Sequence, residues 1–236
     1  MVNTLGYNGD REDWYALDLS ESGIFTFSIS NLLPSGTVNG QLKNLLLYDD
    51  ELDLIKSLNN STTTTLGPGR KLASGKLALS KGYYFIKAIP YDFYRNAAPY
   101  RIETDLAPSN PKDLGEDNNT RVEATPLNID EDPFEASIGY EDDFQDWYKI
   151  EIPKKGLFRM TLENLHPSWI ELGNLYGFTI YDESLNQLSF IRDINAGKSK
   201  QNSDLQVEAG DILYAKVQVY KHHSVPYEIS LKVIED

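Results

Sequence analysis

A ten-residue block recurs along this chain at long range. Gly6-Tyr-Asn-Gly-Asp10-Arg-Glu-Asp13-Trp14-Tyr15 returns as Gly139-Tyr-Glu-Asp-Asp143-Phe-Gln-Asp146-Trp147-Tyr148, 133 positions later. The same shift pairs Gly23-Ile-Phe with Gly156-Leu-Phe, Asn31-Leu32 with Asn164-Leu165, and Tyr48-Asp49 with Tyr181-Asp182. After a change in length, Gly82 matches Gly210 and Pro99-Tyr100-Arg-Ile102 matches Pro226-Tyr227-Glu-Ile229. A period this long exceeds the roughly 20–50 residues of solenoid repeats and marks a duplicated domain. In 236 residues, two copies leave each half long enough to bury a core of its own.

The repeated segments read as β-strands. Trp14–Leu19 and Ile24–Ile29 alternate with period two, as do Trp147–Ile152 and Leu157–Leu162. Further strands are expected at Asn44–Tyr48, Gly82–Ala88 and Tyr100–Thr104, with counterparts at Tyr176–Tyr181, Ile212–Val219 and Tyr227–Val233. Ser20–Gly23 and Pro153–Gly156 supply turns closed by glycine. Asn59–Gly69 and Asp193–Ser203 read as polar loops, and no segment carries a helical stripe. Many short strands joined by tight turns predict an all-β chain of two tandem jelly-roll β-sandwich domains, 1–106 and 107–236. The segment 107–127, rich in Pro, Asn and Gly at its start, is the linker. Trp14 and Trp147 are expected in the core.

Charge and composition exclude several functions. With 22 Lys and Arg against 36 Asp and Glu, the net charge is −14. Such a chain lacks the basic surface that nucleic acid or anionic membrane requires. No apolar run reaches membrane-spanning length, so no membrane insertion is expected. Cysteine is absent, which removes disulfides, thiol catalysis and cysteine-based zinc sites. No His-Glu-x-x-His, Gly-x-Ser-x-Gly or P-loop occurs, and His222 and His223 are neighbours whose side chains should point apart. The chain is therefore not expected to be an enzyme. Met1–Gly6 has neither basic start nor apolar stretch, so no signal peptide is read there.

Glu116-Asp-Asn118-Asn119, then Ala124-Thr-Pro126-Leu127, then Asp143-Phe-Gln-Asp146-Trp147-Tyr148 form an ordered set. A Gly-opened strand, a Tyr-Asp strand and a closing Tyr-x-Ile strand follow. In this order the residues resemble the bacterial pre-peptidase C-terminal domain family, which includes collagen-binding domains of clostridial collagenases. Gly115–Val233 covers the whole pattern, and Gly6–Thr104 covers all of it but the linker. The resemblance implies non-catalytic jelly rolls that accompany exported enzymes and serve substrate attachment, folding or secretion. It also implies a secreted or cell-surface protein, part of a longer polypeptide, whose partner is an extracellular protein or polysaccharide.

The resemblance further implies calcium between linker and loop in the second half, held by Glu116, Asn118, Asn119, Asp143 and Asp146. Oxygen-rich side chains of this kind suit calcium, which takes six to eight oxygens. Leu114 and Asp117 depart from the family pattern, which has a glutamate and a proline there. Asp10 and Asp13 repeat the loop in the first half without a linker ahead of them, so calcium there should be weak or absent. An Asp-x-x-Asp at a strand entry can also simply bond turn N–H groups. Tyr91, Phe93, Tyr94 and Tyr220 are the candidate ligand-binding aromatics, because tyrosines near these strands form the ligand surface of collagen-binding relatives. Two other readings remain open, a structural or adhesive spacer and a carbohydrate-binding module.

Overall fold

A computed structural model describes residues 1–6, 9–59, 65–91, 97–108, 117–140 and 143–235. It divides into two compact units, Met1–Lys76 with Lys81–Ala107, and Leu77–Ser80 with Pro108–Asp236. Both are built of β-strands, and among the described residues the only helical turn is a short 3-10 segment at Arg121–Glu123. Each unit is a β-sandwich.

In the first unit the strands are β1 (Val2–Leu5), β2 (Asp13–Leu19), β3 (Gly23–Asn31), β4 (Leu42–Tyr48), β5 (Leu54–Ser57), β6 (Lys71–Ala73), β8 (Gly82–Pro90) and β9 (Ala98–Pro108). The intervening β7 (Lys76–Leu79) falls mostly in the second unit. One sheet runs β2-β8-β4-β5, and the other contains β1-β9-β3 with β6 beside β3. Period-two alternation sends Phe25, Phe27 and Ile29 inward from β3, as their spacing predicts. Leu45, Leu47, Tyr84, Ile86 and Tyr100 are also in this core.

The second unit holds β10 (Thr125–Leu127), β11 (Phe134–Ile138), β12 (Gln145–Glu151), β13 (Gly156–Asn164) and β14 (Ile170–Leu172). It continues with β15 (Leu175–Tyr181), β16 (Gln187–Ile194), β17 (Ser199–Gln201), β18 (Leu205–Val207), β19 (Ile212–Val219) and β20 (Val225–Ile234). One sheet has the order β10-β12-β19-β15-β16 and the other β11-β20-β13-β17, with β18 also on β13. From β10 to β13 successive strands alternate between the two sheets, as do β18, β19 and β20, whereas β15 and β16 form a hairpin within one sheet. Between the sheets lie Tyr148, Ile150, Phe158, Met160, Phe178, Val217 and Tyr227.

Several repeated residues hold the same local geometry twice. Buried Asn31 donates from Nδ2 to Gly40 O (2.6 Å) and Leu66 O (3.1 Å), and accepts from Leu33 N. Buried Asn164 does the same with Gly173 O (2.8 Å), Ile194 O (3.1 Å) and His166 N. Asp49 and Asp182 each accept backbone N–H groups of the turn that follows, and Leu52 and Leu185 there both adopt φ +64°. Gly139 lies at φ +82°, and a Cβ on it would sit 1.9 Å from His223 O, which is why this position admits only glycine.

Two expectations need correction. Trp14 is 41% exposed and Trp147 is half-buried, while the next residue in each strand, Tyr15 or Tyr148, points inward. Lys149 and Glu151 lie on Trp147's side of β12 and Ile150 and Ile152 on the other, so the tryptophan belongs to the solvent face. Within the expected loop 193–203, Ser199–Gln201 pairs with Thr161–Glu163 as a short strand. The strands β5 and β16 also lie outside the expected set, both of them at sheet edges.

Candidate functional site

The second unit gathers the expected calcium ligands at the entry to β12. Gly139 N donates to Asp143 O (2.6 Å) and Asp143 N to Tyr140 O (3.0 Å). Trp147 N donates to Asn118 O (2.8 Å), and Gln145 Nε2 donates to Asn119 O (2.9 Å). These bonds tie the segment ahead of β10 onto the start of β12. Asn118, Asp143 and Asp146 are buried at 2%, 4% and 3% exposure. Glu116 lies outside the described residues.

The side chains form one polar cluster. Asn119's carboxamide sits 2.6 Å from Asp143 Oδ1 and 3.0 Å from Gln145 O. With its nitrogen toward them it donates to both; turned the other way, three oxygens converge. Asn118 Oδ1 is buried and has no hydrogen-bond partner among the described residues. A buried carbonyl left without a donor costs about 1–3 kcal/mol, so such atoms are rare unless water or an ion meets them.

Beneath the cluster runs a chain of hydroxyls that the sequence did not reveal as a unit. The Asn118 side chain bonds Tyr148 OH, Tyr148 OH meets Tyr227 OH (2.5 Å), and Tyr227 OH donates to Asp146 Oδ2. Burial pushes both phenols above their ordinary pKa, and the Asp146 carboxylate adds to this. They therefore act as neutral donors that end on a carboxylate. The first unit repeats the arrangement with Tyr15 OH, Tyr100 OH (2.5 Å) and Asp13 Oδ2. Tyr100 is likewise raised by burial and then by Asp13.

On the outer face of the sheet β10-β12-β19-β15-β16, register places three rows of residues side by side. Gln145, Gln218, Gly177 and Arg192 form one row; Trp147, Lys216, Thr179 and Phe190 the next; Lys149, Tyr214, Tyr181 and Gln187 the third. Trp147 stacks on Tyr181 at 5.6 Å, and Tyr176 meets Phe190 at 5.9 Å and Tyr220 at 5.3 Å. An open cleft of about 510 Å³ lies among Tyr176, Tyr181, Phe190, Gln187, Gln218 and Tyr220. Tyr220, an expected ligand residue, is thus on the cleft wall, with its hydroxyl donating to Asp193. Tyr91 is 52% exposed at the end of β8; Phe93 and Tyr94 lie outside the described residues.

A cluster of Asp49, Glu51 and Asp53 also brings carboxylates together in the first unit. There Asp49 Oδ1 accepts Glu51 N (3.0 Å) and Asp53 N (2.7 Å), which is turn chemistry. Among the described residues no helix is long and apolar enough to cross a membrane.

No protein-family model and no curated protein matches the chain. Among solved structures, it is similar to the pre-peptidase C-terminal domain of a Bacillus anthracis collagenase, at 17% identity, TM-score 0.36, over 52% of this chain and 100% of that one. It is also similar to the CBM22 tandem of Paenibacillus barcinonensis Xyn10C, at 12% identity, TM-score 0.29, over 100% and 91%. A striped bass (Morone saxatilis) fucolectin is similar at 11% identity, TM-score 0.29, over 96% and 84%. Scores of this size leave the fold to be argued from the strands themselves.

Proposed function

We propose that the chain is a pair of non-catalytic modules of the pre-peptidase C-terminal kind from an exported protein. In this reading the second module binds calcium at the entry to β12 and presents its outer sheet face to an extracellular polymer. The observation that carries the calcium reading is the buried Asn118 Oδ1, without a donor among the described residues, in a segment bonded to the start of β12 where Asp143 and Asp146 are buried as well. Asn118, Asn119, Asp143 and Asp146 would hold the ion, with Glu116 completing the set. The donor set is all oxygen and mixes carboxylates with amides, which fits a hard cation of flexible coordination. Bound there, calcium would offset buried carboxylate charge and fasten the linker to the sandwich.

The polymer reading rests on the open aromatic cleft. Such faces recognise ligands through rings and a few placed polar groups, here Gln187, Gln218 and Tyr220. Thermal unfolding after EDTA, and again with millimolar calcium, tests the clip. We expect a rise of several degrees with calcium that Asp143→Ala abolishes. An unchanged melting temperature would reduce the cluster to turn chemistry.

A further inference from the structure

Comparison of the duplicated sheet faces points to the charge of the ligand. In each unit a lysine from the strand paired with the tryptophan's own, β8 or β19, lies over the ring: Lys87 is 4.7 Å from Trp14, and Lys216 is 5.5 Å from Trp147. Lys87 is neutralised, since its Nζ lies 2.5 Å from Glu12 Oε2. The position equivalent to Glu12 in the second unit is Gln145, whose amide is turned to Asn119 O. Among the described residues Lys216 therefore has no carboxylate partner.

Two more cations share this face in the same state. Arg192 lies 5.0 Å from the Tyr176 ring and 5.9 Å from Phe190, and Arg121 lies 4.5 Å from Tyr214. Arg121 donates from Nη2 to a backbone carbonyl, that of Glu183 (2.9 Å). Neither arginine forms an ion pair among the described residues, and the Arg192 guanidinium donates to the Tyr220 hydroxyl. The carboxylates at the margins include Asp193, which accepts from Tyr220, Glu151 at the end of β12, and Asp182 and Glu183 just after β15. In a chain of net charge −14, three cations without a direct carboxylate partner thus share one aromatic face.

We propose that this face binds an anionic polysaccharide of the uronate type, a claim that rests on the polymer-binding reading above. Arg192 would pair with a sugar carboxylate through its planar guanidinium, and Lys216 would act as a point charge on a neighbouring residue. Tyr176 and Phe190 would take the apolar faces of the sugar rings, and Gln187 and Gln218 their hydroxyls. An acidic peptide fits less well. Peptides commonly add to sheet edges through backbone bonds, whereas the rings and cations here present side chains from the face of the sheet.

The test is binding of the intact chain, with calcium present, to polygalacturonate, its methyl-esterified form, polyglutamate and gelatin, each at low and high salt. We expect polygalacturonate to bind, and both esterification and high salt to weaken it by about tenfold or more. Arg192→Gln and Lys216→Gln should each cost about tenfold, while Lys87→Gln on the first unit leaves affinity unchanged. Equal affinity for the esterified polymer, insensitive to Arg192→Gln, overturns the charge selectivity and leaves the polymer-binding reading standing. Preference for polyglutamate or gelatin overturns the glycan assignment. Failure to bind any of the four, by a chain with an unchanged melting curve, overturns both.

Discussion

The two tyrosine–aspartate clusters are built alike and roofed differently. In the second unit Asn118, from the segment ahead of β10, reaches Tyr148 OH. In the first unit Asn3 of β1 takes that place, donating from Nδ2 to Tyr15 OH (3.0 Å) and Asp13 Oδ2 (3.3 Å). Asn3 faces Tyr100 across the strand pair β1–β9, and the equivalent position opposite Tyr227 is Ala136. One amide thus comes from within the sandwich, and the other from a segment that must itself be held down. The second arrangement buries its aspartate, whereas Asp13 stays half-exposed. Exchange of a strand amide for a linker amide creates the enclosed oxygen cluster that calcium would fill. The first unit closes the same triad with a side chain of its own sheet.

The faces diverge in the same direction. The row Trp14, Lys87, Leu46, Ser57 has an aliphatic side chain and a small hydroxyl where the row Trp147, Lys216, Thr179, Phe190 has a threonine and an aromatic ring. Glu12 closes one lysine and Gln145 leaves the other open. In both comparisons the second copy has the side chains a ligand needs, and the first has the side chains that satisfy one another.

The largest expected effect comes from the triads. Asp146→Ala strands the buried Tyr227 hydroxyl and should cost about 2–3 kcal/mol by urea unfolding; Asp13→Ala, where water can replace the carboxylate, should cost about 1 kcal/mol. Equal losses would break the comparison.

Acid should act on the second unit, since all three histidines lie there. Burial lowers His223 to about 4 and lowers His166 as well, with the neighbouring His222 and His166 adding to the effect on His223. Above the ordinary histidine pKa of roughly 6.5 both states are neutral. As pH falls from there toward 4, the unfolded chain takes protons that the folded chain refuses, and stability declines. We expect a loss on the order of 2 kcal/mol across this window, reduced in His223→Gln. Urea midpoints at the two ends of the window check it, and a flat profile would contradict the burial.

Asn118→Ala and Asn3→Ala sharpen the roof comparison. In EDTA each should cost about 1 kcal/mol. With calcium added, the Asn118 variant should fall further behind the parent, and the Asn3 variant should keep its distance. The smallest effect is expected from Glu12→Gln, which frees Lys87 on an exposed surface and should change stability by less than about 0.5 kcal/mol.

Much of the fold was legible because both copies alternate with the same period and close with the same turns. The error at Trp14 and Trp147 came from weighing ring size above register. Lys149 and Glu151, on the same side of β12 as Trp147, carried the opposite signal. The repeated Asn31 and Asn164 were visible as repeats, but their function as loop staples depends on carbonyls 9 to 35 residues away. The calcium candidates are near in sequence, in two short clusters, and so were visible. The cationic face was not, because Arg121, Arg192 and Lys216 come from three separate elements and meet only when β12, β19, β15 and β16 are in register.

Calcium titration of the intact chain by calorimetry tests the asymmetry most directly. The prediction is a single binding event per chain, lost in Asp143→Asn and retained in Asp13→Asn. Two equivalent sites, or one that follows Asp13 instead of Asp143, would contradict the account.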